Sequence, residues 1–525
     1  MLLFEVVSNR CRWLPVLLTS VLVGVGSPAM ASAQLNVRID GFTLPIDLRQ
    51  LQAWSQDPRR IRTELGVWLE LLDDRSRRDL VTLLRTPLLP DRGLALQLLQ
   101  SWAGGQVLDE LGELLQTDQP GSGALLLKTL RDLLQKPEPV TVVDVLQAVP
   151  TQQLTLDLDG VLALGAGWRR QLEQETKALA QLRQLPLPVI QGATAPMRLS
   201  ALQRPTRPRA INLAVAHRRE PLPLEIWGAS PSSQRSWVLL MHGLGGSAAQ
   251  LRWMAEGLSQ RGWPVLLMEH PGSDESAVRE LLDGLRPPPG AETIPDRLAD
   301  VQAVLAAEAK GTVPELGESV VLMGHSLGGL TALMAAGQRP AAGLEQRCER
   351  ALKGLPLINL SRLLQCQLAQ VPLPPPRRPA NLAAVVSING FGSLLWPDRS
   401  LESLKVPVLM VGGSLDLVTP PVSEQLGPFL QQSDPRSRLV VVEGASHFSP
   451  VRIETTDDAL LRLGDRLVGE EPFKVQELLL SLSADFLFAL ETDNSVPVQR
   501  RFQEGIGSYV LDQRSAELWR RRLRN

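Results

Sequence analysis

The chain has 525 residues, of which 44% are hydrophobic and 21% are charged, and its formal net charge is −2. These values are typical of a protein that folds into about two to four domains with sizeable cores. A net charge so close to zero excludes an overall electrostatic attraction to nucleic acid or to an anionic membrane, and we expect no nucleic-acid partner.

The N-terminus has the pattern of an export signal. Two arginines precede a hydrophobic stretch over residues 13–25, and Ala31-Ser32-Ala33 fits a cleavage site. The alternative is an uncleaved anchor, although the hydrophobic stretch is short for a membrane span. We therefore predict a signal peptide over residues 1–33 and an exported protein, with the periplasm as the expected location. No integral membrane span is expected once the leader is removed.

Residues 34–165 are rich in leucine and glutamine, and their hydrophobic residues recur with helical spacing. Leu65, Trp68, Leu69 and Leu72, for example, form the stripe of an amphipathic helix. Proline, glycine and aspartate separate several such blocks, which predicts a small, all-helical domain. The region contains no histidine and no cysteine. We assign it no chemistry, expect a role in packing or substrate gating, and leave any protein partner of this domain unidentified.

Residues 166–208 comprise a further helical stretch and a connector rich in proline and arginine, a composition that indicates a domain boundary. Over residues 209–525, short β-rich runs alternate with helical segments. Several runs are continuously hydrophobic, as in strands that are buried on both faces. This alternation predicts an α/β domain with a mainly parallel, doubly wound sheet. The first two runs predict an antiparallel hairpin at the sheet edge.

The pentapeptide Gly324-His325-Ser326-Leu327-Gly328 joins a predicted strand directly to a predicted helix. Small residues beside the serine allow a turn tight enough to hold the hydroxyl at the top of the sheet. The N-terminus of the following helix points at that hydroxyl. We therefore predict that Ser326 is a nucleophile.

A serine nucleophile needs a base, and the chain offers five histidines. His325 adjoins the nucleophile on the same turn, and His217 lies in the predicted edge hairpin. His242 and His270 end strands, but both precede glycine-containing turns and have packing roles open to them. His447 follows the last predicted strand and satisfies the chain order of serine, acid and histidine. His447 is the predicted base.

The acid is expected after the preceding strand, where Asp416 occurs. A carboxylate there can bond the second imidazole nitrogen, fix its tautomer and stabilise the imidazolium. The alternative for Asp416 is a turn-forming aspartate before Thr-Pro-Pro. An oxyanion hole requires two further donors, and we predict the backbone amides of Leu327 and Leu244. Leu327 follows the nucleophile, and Leu244 lies in a glycine-rich loop after an earlier strand.

An insertion over residues 338–380 is rich in leucine, arginine and proline. We predict a lid or pocket wall, and the alternative is a surface excursion without substrate contact. The insertion contains Cys348 and Cys366, for which we predict a disulfide because exported proteins meet an oxidising environment. Two separate buried thiols are the alternative. No cysteine pair has zinc-type spacing, and we predict neither a metal nor a cofactor.

From about residue 209 to residue 450 the chain resembles α/β-hydrolases of the group that spans dienelactone hydrolase-like proteins and platelet-activating-factor acetylhydrolases. The motifs that carry the resemblance are HGLGG at 242–246, MEHPGSD at 268–274, GHSLGG at 324–329, GGSLDLVTPP at 412–421 and EGASHF at 443–448. The resemblance implies the α/β-hydrolase fold over residues 209–525. The whole chain is similar to cyanobacterial exported hydrolases whose N-terminal domain has no assigned function.

Two departures from this group matter. Dienelactone hydrolases proper use a cysteine nucleophile, whereas this chain has Ser326. In the acetylhydrolases the acid follows an earlier strand, whose counterpart here carries Asn389. The resemblance therefore leaves Asp416 as the acid, as in the commoner hydrolase arrangement.

Together these residues predict a serine hydrolase that acts on a small-molecule ester or lipid-like substrate through an acyl-enzyme. We expect an esterase or lipase-like carboxylic ester hydrolase. A thioesterase or a peptidase would use the same constellation of residues. The alternative from another class is a catalytically silent binding module of the cell envelope.

Overall fold

The structure is a computed structural model that describes residues 32–58, 64–69, 73–88, 91–192, 207–228, 236–356, 358–398, 400–453 and 471–524. The predicted signal peptide lies outside these ranges except for its last two residues. Within them, none of the helices has the length and apolar character needed to cross a membrane.

The N-terminal region combines a small sheet with helices. Its strands are β1 (Gln34–Ile39), β2 (Phe42–Asp47), β3 (Leu115–Thr117) and β4 (Leu154–Asp157). The strand order is β2-β1-β4-β3, with β1 and β4 parallel and the other two pairs antiparallel. Its helices are α1 (Leu48–Gln56), α2 (Glu64–Leu69), α3 (Asp74–Arg85), α4 (Arg92–Gln100), α5 (Trp102–Leu114), α6 (Ser122–Leu134) and α7 (Val142–Ala148). The region has a hydrophobic core of its own, which includes Leu48, Trp54 and Leu154.

The prediction that residues 34–165 are all helical was therefore wrong. The hairpin of β1 and β2 turns through Asp40 and Gly41, whose φ angles of 48° and 79° are the positive values of a type I′ turn. The Asp-Gly pair is a local hairpin signal, which the helical spacing of the residues that follow obscured. The other two strands are only three and four residues long, too short for an alternating pattern to be recognised.

The predicted domain boundary at residue 165 falls inside one continuous helix, α8 (Leu158–Arg183). The helix contacts β1 of the N-terminal region. Near its other end, Ala178 accepts a hydrogen bond at 3.0 Å from the indole of Trp519 in the C-terminal helix. Part of the predicted connector is a strand, β5 (Val189–Gln191), which joins the large sheet at its edge. The helix and the connector thus link the two regions by packing as well as by sequence.

Within the described ranges the large sheet has eleven strands. Besides β5 they are β6 (Arg209–Leu213), β7 (Leu222–Trp227), β8 (Ser236–Met241), β9 (Val265–Met268), β10 (Ser319–His325), β11 (Leu382–Ile388), β12 (Val408–Gly413), β13 (Arg438–Val442), β14 (Gln499–Gln503) and β15 (Ile506–Leu511). Their order is β5-β14-β15-β13-β12-β11-β10-β8-β9-β7-β6. The six strands from β13 to β9 in this order are parallel. The predicted mainly parallel sheet and its antiparallel edge hairpin, β6–β7, are confirmed.

Helices cover both faces of this sheet. They are α9 (Arg252–Gln260), α10 (Glu275–Leu282), α11 (Ile294–Ala309), α12 (Leu327–Ala335), α13 (Leu344–Leu352), α14 (Ser361–Gln367), α15 (Pro421–Glu424), α16 (Leu426–Leu430), α17 (Pro472–Glu491) and α18 (Gln513–Arg524). Along β8, Trp237 and Leu239 pack on the α11 and α12 face, whereas Val238 and Leu240 pack on the α9 and α17 face. Each such aliphatic side chain contributes about 1.5–3 kcal/mol by burial, which is why the central strands are continuously hydrophobic.

Candidate active site

Ser326 lies on a sharp turn between β10 and α12. Its φ of 53° and ψ of −116° are unfavourable for a residue with a side chain, and such strain is typical of a serine held at a strand-to-helix elbow. The flanking glycines are required by close approach. A Cβ on Gly324 would lie 2.2 Å from the backbone of Gly328, and one on Gly328 would lie 2.3 Å from the carbonyl oxygen of Met241.

The structure brings together the three side chains that the sequence singled out. The hydroxyl oxygen of Ser326 lies 2.9 Å from Nε2 of His447, and Nδ1 of His447 lies 2.9 Å from Oδ2 of Asp416. His447 follows β13 and Asp416 follows β12, so parallel strands deliver both residues to the edge where β10 ends. An ionised Asp416 accepts a hydrogen bond from the Nδ1–H of His447, and this tautomer directs the lone pair of Nε2 at the serine hydroxyl.

Asp416 is 1% exposed and is held by several donors. Its Oδ1 accepts hydrogen bonds from the amides of Val418 and Thr419 at 2.9 and 2.7 Å, and the Thr419 hydroxyl lies 2.7 Å from Oδ2. Burial opposes ionisation, but the imidazole of His447 and the donors of Thr419 outweigh it and hold the pKa of Asp416 below its ordinary value. Thr419 was not predicted from the sequence, although an aspartate in a turn commonly accepts a hydrogen bond from the backbone that follows it.

Two side chains hold the main chain of His447. His325 donates from Nε2 to the carbonyl oxygen of His447 at 2.8 Å, and the amide of Asn389 donates to the same oxygen at 3.0 Å. Burial and the neighbouring imidazole lower the pKa of His325 to about 3, so it acts here as a neutral donor. Asn389, which follows β11, therefore helps to hold the main chain that carries the predicted base.

The two amides predicted for an oxyanion hole belong to segments that adjoin Ser326. Leu327 begins α12, and Leu244 follows Gly243, whose Cβ would lie 3.1 Å from the Cβ of Ser326. In the described part of the chain neither amide donates a hydrogen bond to another residue. The loop that carries Leu244 is fixed in part by the amide of Gly245, which donates to the carbonyl oxygen of Ser273 at 2.8 Å.

The insertion over residues 338–380 packs near the C-terminal ends of the central strands, where the candidate site lies. Asn359 donates its backbone N–H to the carbonyl oxygen of Leu417 at 2.7 Å, directly beside the acid loop. On α14, Gln365 accepts from the amide of Leu394 at 2.9 Å. Cys348 and Cys366 form a disulfide that joins α13 to α14. The role of this insertion as a lid or pocket wall stays a prediction.

The N-terminal region and α8 also reach this edge. Glu110 on α5 accepts a hydrogen bond at 2.9 Å from the amide of Gly354 in the insertion, and the indole of Trp168 on α8 donates to Leu355 at 2.9 Å. Seven residues after Trp168 on α8 lies the half-buried Glu175. Burial and the charge of Asp416 raise the pKa of Glu175 to about 7. No local pattern in the sequence marks Glu175.

Comparisons with known proteins agree with this architecture. Residues 238–462 match a family model described as "Alpha/beta hydrolase family", and residues 31–157 match one described as "Alpha/beta hydrolase of unknown function (DUF1400)". The chain is 25% identical over 247 residues to the pimeloyl-[acyl-carrier protein] methyl ester esterase of Neisseria meningitidis serogroup B. The matched region covers 40% of this chain and 85% of that relative.

A dienelactone hydrolase from Anabaena variabilis is a structural neighbour with 21% identity and a TM-score of 0.35, covering 54% of this chain and 98% of that chain. The family models and the esterase relative indicate a hydrolase. With the parallel sheet and the elbow on which Ser326 lies, they show that the chain belongs to the α/β-hydrolase superfamily.

Proposed function

We propose that the protein hydrolyses carboxylic esters with Ser326 as nucleophile, His447 as base and Asp416 as the acid that orients it. The observation that carries the proposal is the unbroken chain of two 2.9 Å contacts that joins the three side chains. A strained backbone at Ser326 supports it as well, because strain of this kind is retained at functional sites.

The proposed reaction has two steps. In the first, Oγ of Ser326 attacks the ester carbonyl while Nε2 of His447 takes its proton, and Asp416 stabilises the imidazolium. The amides of Leu327 and Leu244 bind the oxyanion, and each such donor is worth about 3–4 kcal/mol. His447 then protonates the leaving alkoxide. In the second step water attacks the acyl-enzyme with His447 again as base, which releases the acid and restores the serine.

An ester with a hydrophobic acyl group is the proposed substrate class, small-molecule or lipid-like. The esterase relative is named for a methyl ester, which supports ester chemistry. Beside the acid loop, Leu360, Leu415 and Leu417 are 41%, 53% and 45% exposed. These leucines lie on adjoining segments, since the amide of Asn359 bonds the carbonyl oxygen of Leu417, and their exposure supports an apolar acyl group.

We also propose that the protein is exported, with the periplasm as its location. The disulfide between Cys348 and Cys366 supports this, because such bonds persist in oxidising compartments and are rare in the cytosol. The predicted leader that would direct export lies over residues 1–33, nearly all outside the described ranges.

Labelling by a fluorophosphonate probe tests the proposed nucleophile. We expect the wild-type protein to be labelled, Ser326→Ala to take no label, and Ser259→Ala to behave as wild type because that hydroxyl lies on α9 and bonds only locally. Label on the Ser326→Ala variant, or none on folded wild type, would contradict the proposal. The second outcome would favour the silent binding module.

Substrate class is tested with nitrophenyl esters of increasing acyl length, beside a matched thioester and a peptide anilide. Faster turnover of esters than of the thioester or anilide is the expected result. The reverse order would assign the same residues to a thioesterase or a peptidase.

A further inference from the structure

We infer that Arg297 is a positioning residue that fixes the spacing between the two amides of the proposed oxyanion hole. The inference rests on the proposed function, since this spacing matters only if the amides of Leu244 and Leu327 bind an oxyanion. Arg297 lies on α11 and is 0% exposed, and its side-chain hydrogen bonds go to Thr331, Ser273 and His242.

One part of the guanidinium holds the loop that carries Leu244. Nη2 of Arg297 donates to the carbonyl oxygen of His242 at 2.6 Å, two residues before Leu244. Nη1 donates to the hydroxyl of Ser273 at 2.8 Å, and the carbonyl oxygen of Ser273 in turn accepts the amide of Gly245 at 2.8 Å. The loop is therefore anchored to Arg297 on both sides of the proposed donor.

The remaining donor of Arg297 reaches the helix that carries the second amide. Nε donates to the hydroxyl of Thr331 at 3.1 Å, and that hydroxyl donates to the carbonyl oxygen of Leu327 at 2.7 Å. A continuous path of hydrogen bonds thus joins Leu327 on α12 to the loop that carries Leu244. The planar guanidinium suits this task because its donors have fixed directions, whereas a lysine ammonium offers one mobile point charge.

A buried cation is costly to fold, so its surroundings must compensate for it. Burial lowers the pKa of Arg297 to about 9, opposed by the charges of Asp300 and Glu269, so the side chain remains cationic at neutral pH. Asp300 is itself fully buried and accepts hydrogen bonds from Arg218 and from Nδ1 of His270. A hydrophobic side chain of similar volume could fill this space without such a network, but it could not set the spacing of two backbone amides.

The test is steady-state hydrolysis of a nitrophenyl ester by Arg297→Met, Thr331→Val and the double variant. For Arg297→Met we expect kcat to fall about 10- to 100-fold with KM within about 2-fold of wild type, because a misplaced donor weakens binding of the transition state alone. Thr331→Val should show a smaller fall of the same kind. The double variant should be no slower than Arg297→Met, because both changes break one path.

The matched control is Arg501→Met, which removes another arginine with a 0% exposed side chain. Arg501 lies on β14, near one edge of the large sheet, and bonds Asp485 at 2.6 Å. It should lower the melting temperature while kcat stays at the wild-type value. A trifluoromethyl ketone, whose hemiketal carries an oxyanion, adds an equilibrium readout. Its affinity should fall in Arg297→Met in parallel with kcat/KM, and it should be unchanged in Arg501→Met.

An unchanged kcat in folded Arg297→Met would overturn the inference while leaving the proposed function intact. If Arg297→Met does not fold, Thr331→Val decides, since it is nearly isosteric and an unchanged kcat in that variant would overturn the inference equally. Effects of the two single changes that multiply in the double variant would also contradict a shared path. An inactive wild-type protein would remove the proposed function and this inference together.

Discussion

The side-chain amide of Asn389 donates a hydrogen bond to the carbonyl oxygen of His447 at 3.0 Å and another to that of Ser446 at 3.1 Å. The proposed base is thereby tied to the end of β11 through its main chain, independently of the bond between its imidazole and Asp416. Because the imidazole must meet both the serine and the acid, its position depends on the backbone that carries it.

Asn389→Ala should therefore lower kcat by about 10-fold, since each lost hydrogen bond is worth about 1 kcal/mol and the loop would be free to shift. Steady-state kinetics with a nitrophenyl ester measure the effect. Asn381→Ala is the matched control, because Asn381 bonds a carbonyl oxygen at 3.2 Å at the other end of the same strand. Equal rates for the two variants would show that Asn389 does not position His447.

Asp416→Asn tests the role of the acid. The amide keeps the size of the side chain but presents either a neutral oxygen or an N–H to Nδ1 of His447, so the tautomer and the imidazolium lose their support. We expect kcat to fall about 10³- to 10⁴-fold with the fold retained, measured by kinetics and circular dichroism. Asp434→Asn, which breaks a local ion pair with Arg436, should keep wild-type kcat. A loss under about 10-fold for Asp416→Asn would mean that another group orients the base.

We expect Glu175 to make the stability of the protein depend on pH. Burial and the charge of Asp416 raise its pKa from the ordinary value of 4.5 to about 7. An acid whose pKa is higher in the folded state binds its proton more tightly there, so the free energy of unfolding falls as the pH rises from about 4.5 to about 7. Above that range the loss is complete.

Glu175→Gln removes this titration. The melting temperature of the variant minus that of wild type should therefore be larger at pH 8 than at pH 5. Glu173→Gln, an exposed change on the same helix, should show no such trend. A difference for Glu175→Gln that is equal at the two pH values would contradict the prediction.

The disulfide between Cys348 and Cys366 closes a loop with a sequence separation of 18. Closing a loop of this length removes unfolded-state entropy worth about 3 kcal/mol. Reductant should therefore lower the melting temperature of the wild-type protein and leave that of the Cys348→Ser/Cys366→Ser variant unchanged. Identical melting curves for wild type with and without reductant would show that the bond adds no stability.

The three side chains that the structure brings together could be located from sequence for a physical reason. Hydrophobic strands buried on both faces are readable as continuous runs, and parallel strands deliver the residues after them to one edge. Ser326 follows such a run directly, and Asp416 and His447 lie three and five residues beyond the ends of theirs. Only five histidines had to be compared.

The residues that support this site carry no comparable signal. Asn389 and Arg297 act through partners 58 and 55 positions away in the chain, so nothing near them in sequence indicates their contacts. The small N-terminal sheet was missed because most of its pairing is not local. The turn at Asp40 and Gly41 was locally recognisable, but the pairing of β3 with β4 joins short segments nearly forty residues apart, where helical spacing dominates the pattern.

The N-terminal region meets the large domain at a contact between two glycines. A Cβ on Gly93 of α4 would lie 3.1 Å from the Cα of Gly284, just beyond α10, and Gln97 donates to the carbonyl oxygen of Gly284 at 2.9 Å. A larger side chain at position 93 would therefore push backbone against backbone. Overpacking of this kind costs about 1–3 kcal/mol.

Gly93→Leu should lower the melting temperature, although leucine is the better helix former by up to about 1 kcal/mol. Gly105→Leu on α5 separates the two effects, because a Cβ there has no neighbour within 4 Å and only the gain in helix propensity remains. We expect thermal unfolding to show opposite shifts for the two variants. If both raised the melting temperature, α4 would not be held against α10 in solution. Opposite shifts would instead show that the two regions unfold as packed partners, since only a maintained contact can turn a favourable helix substitution into an unfavourable one.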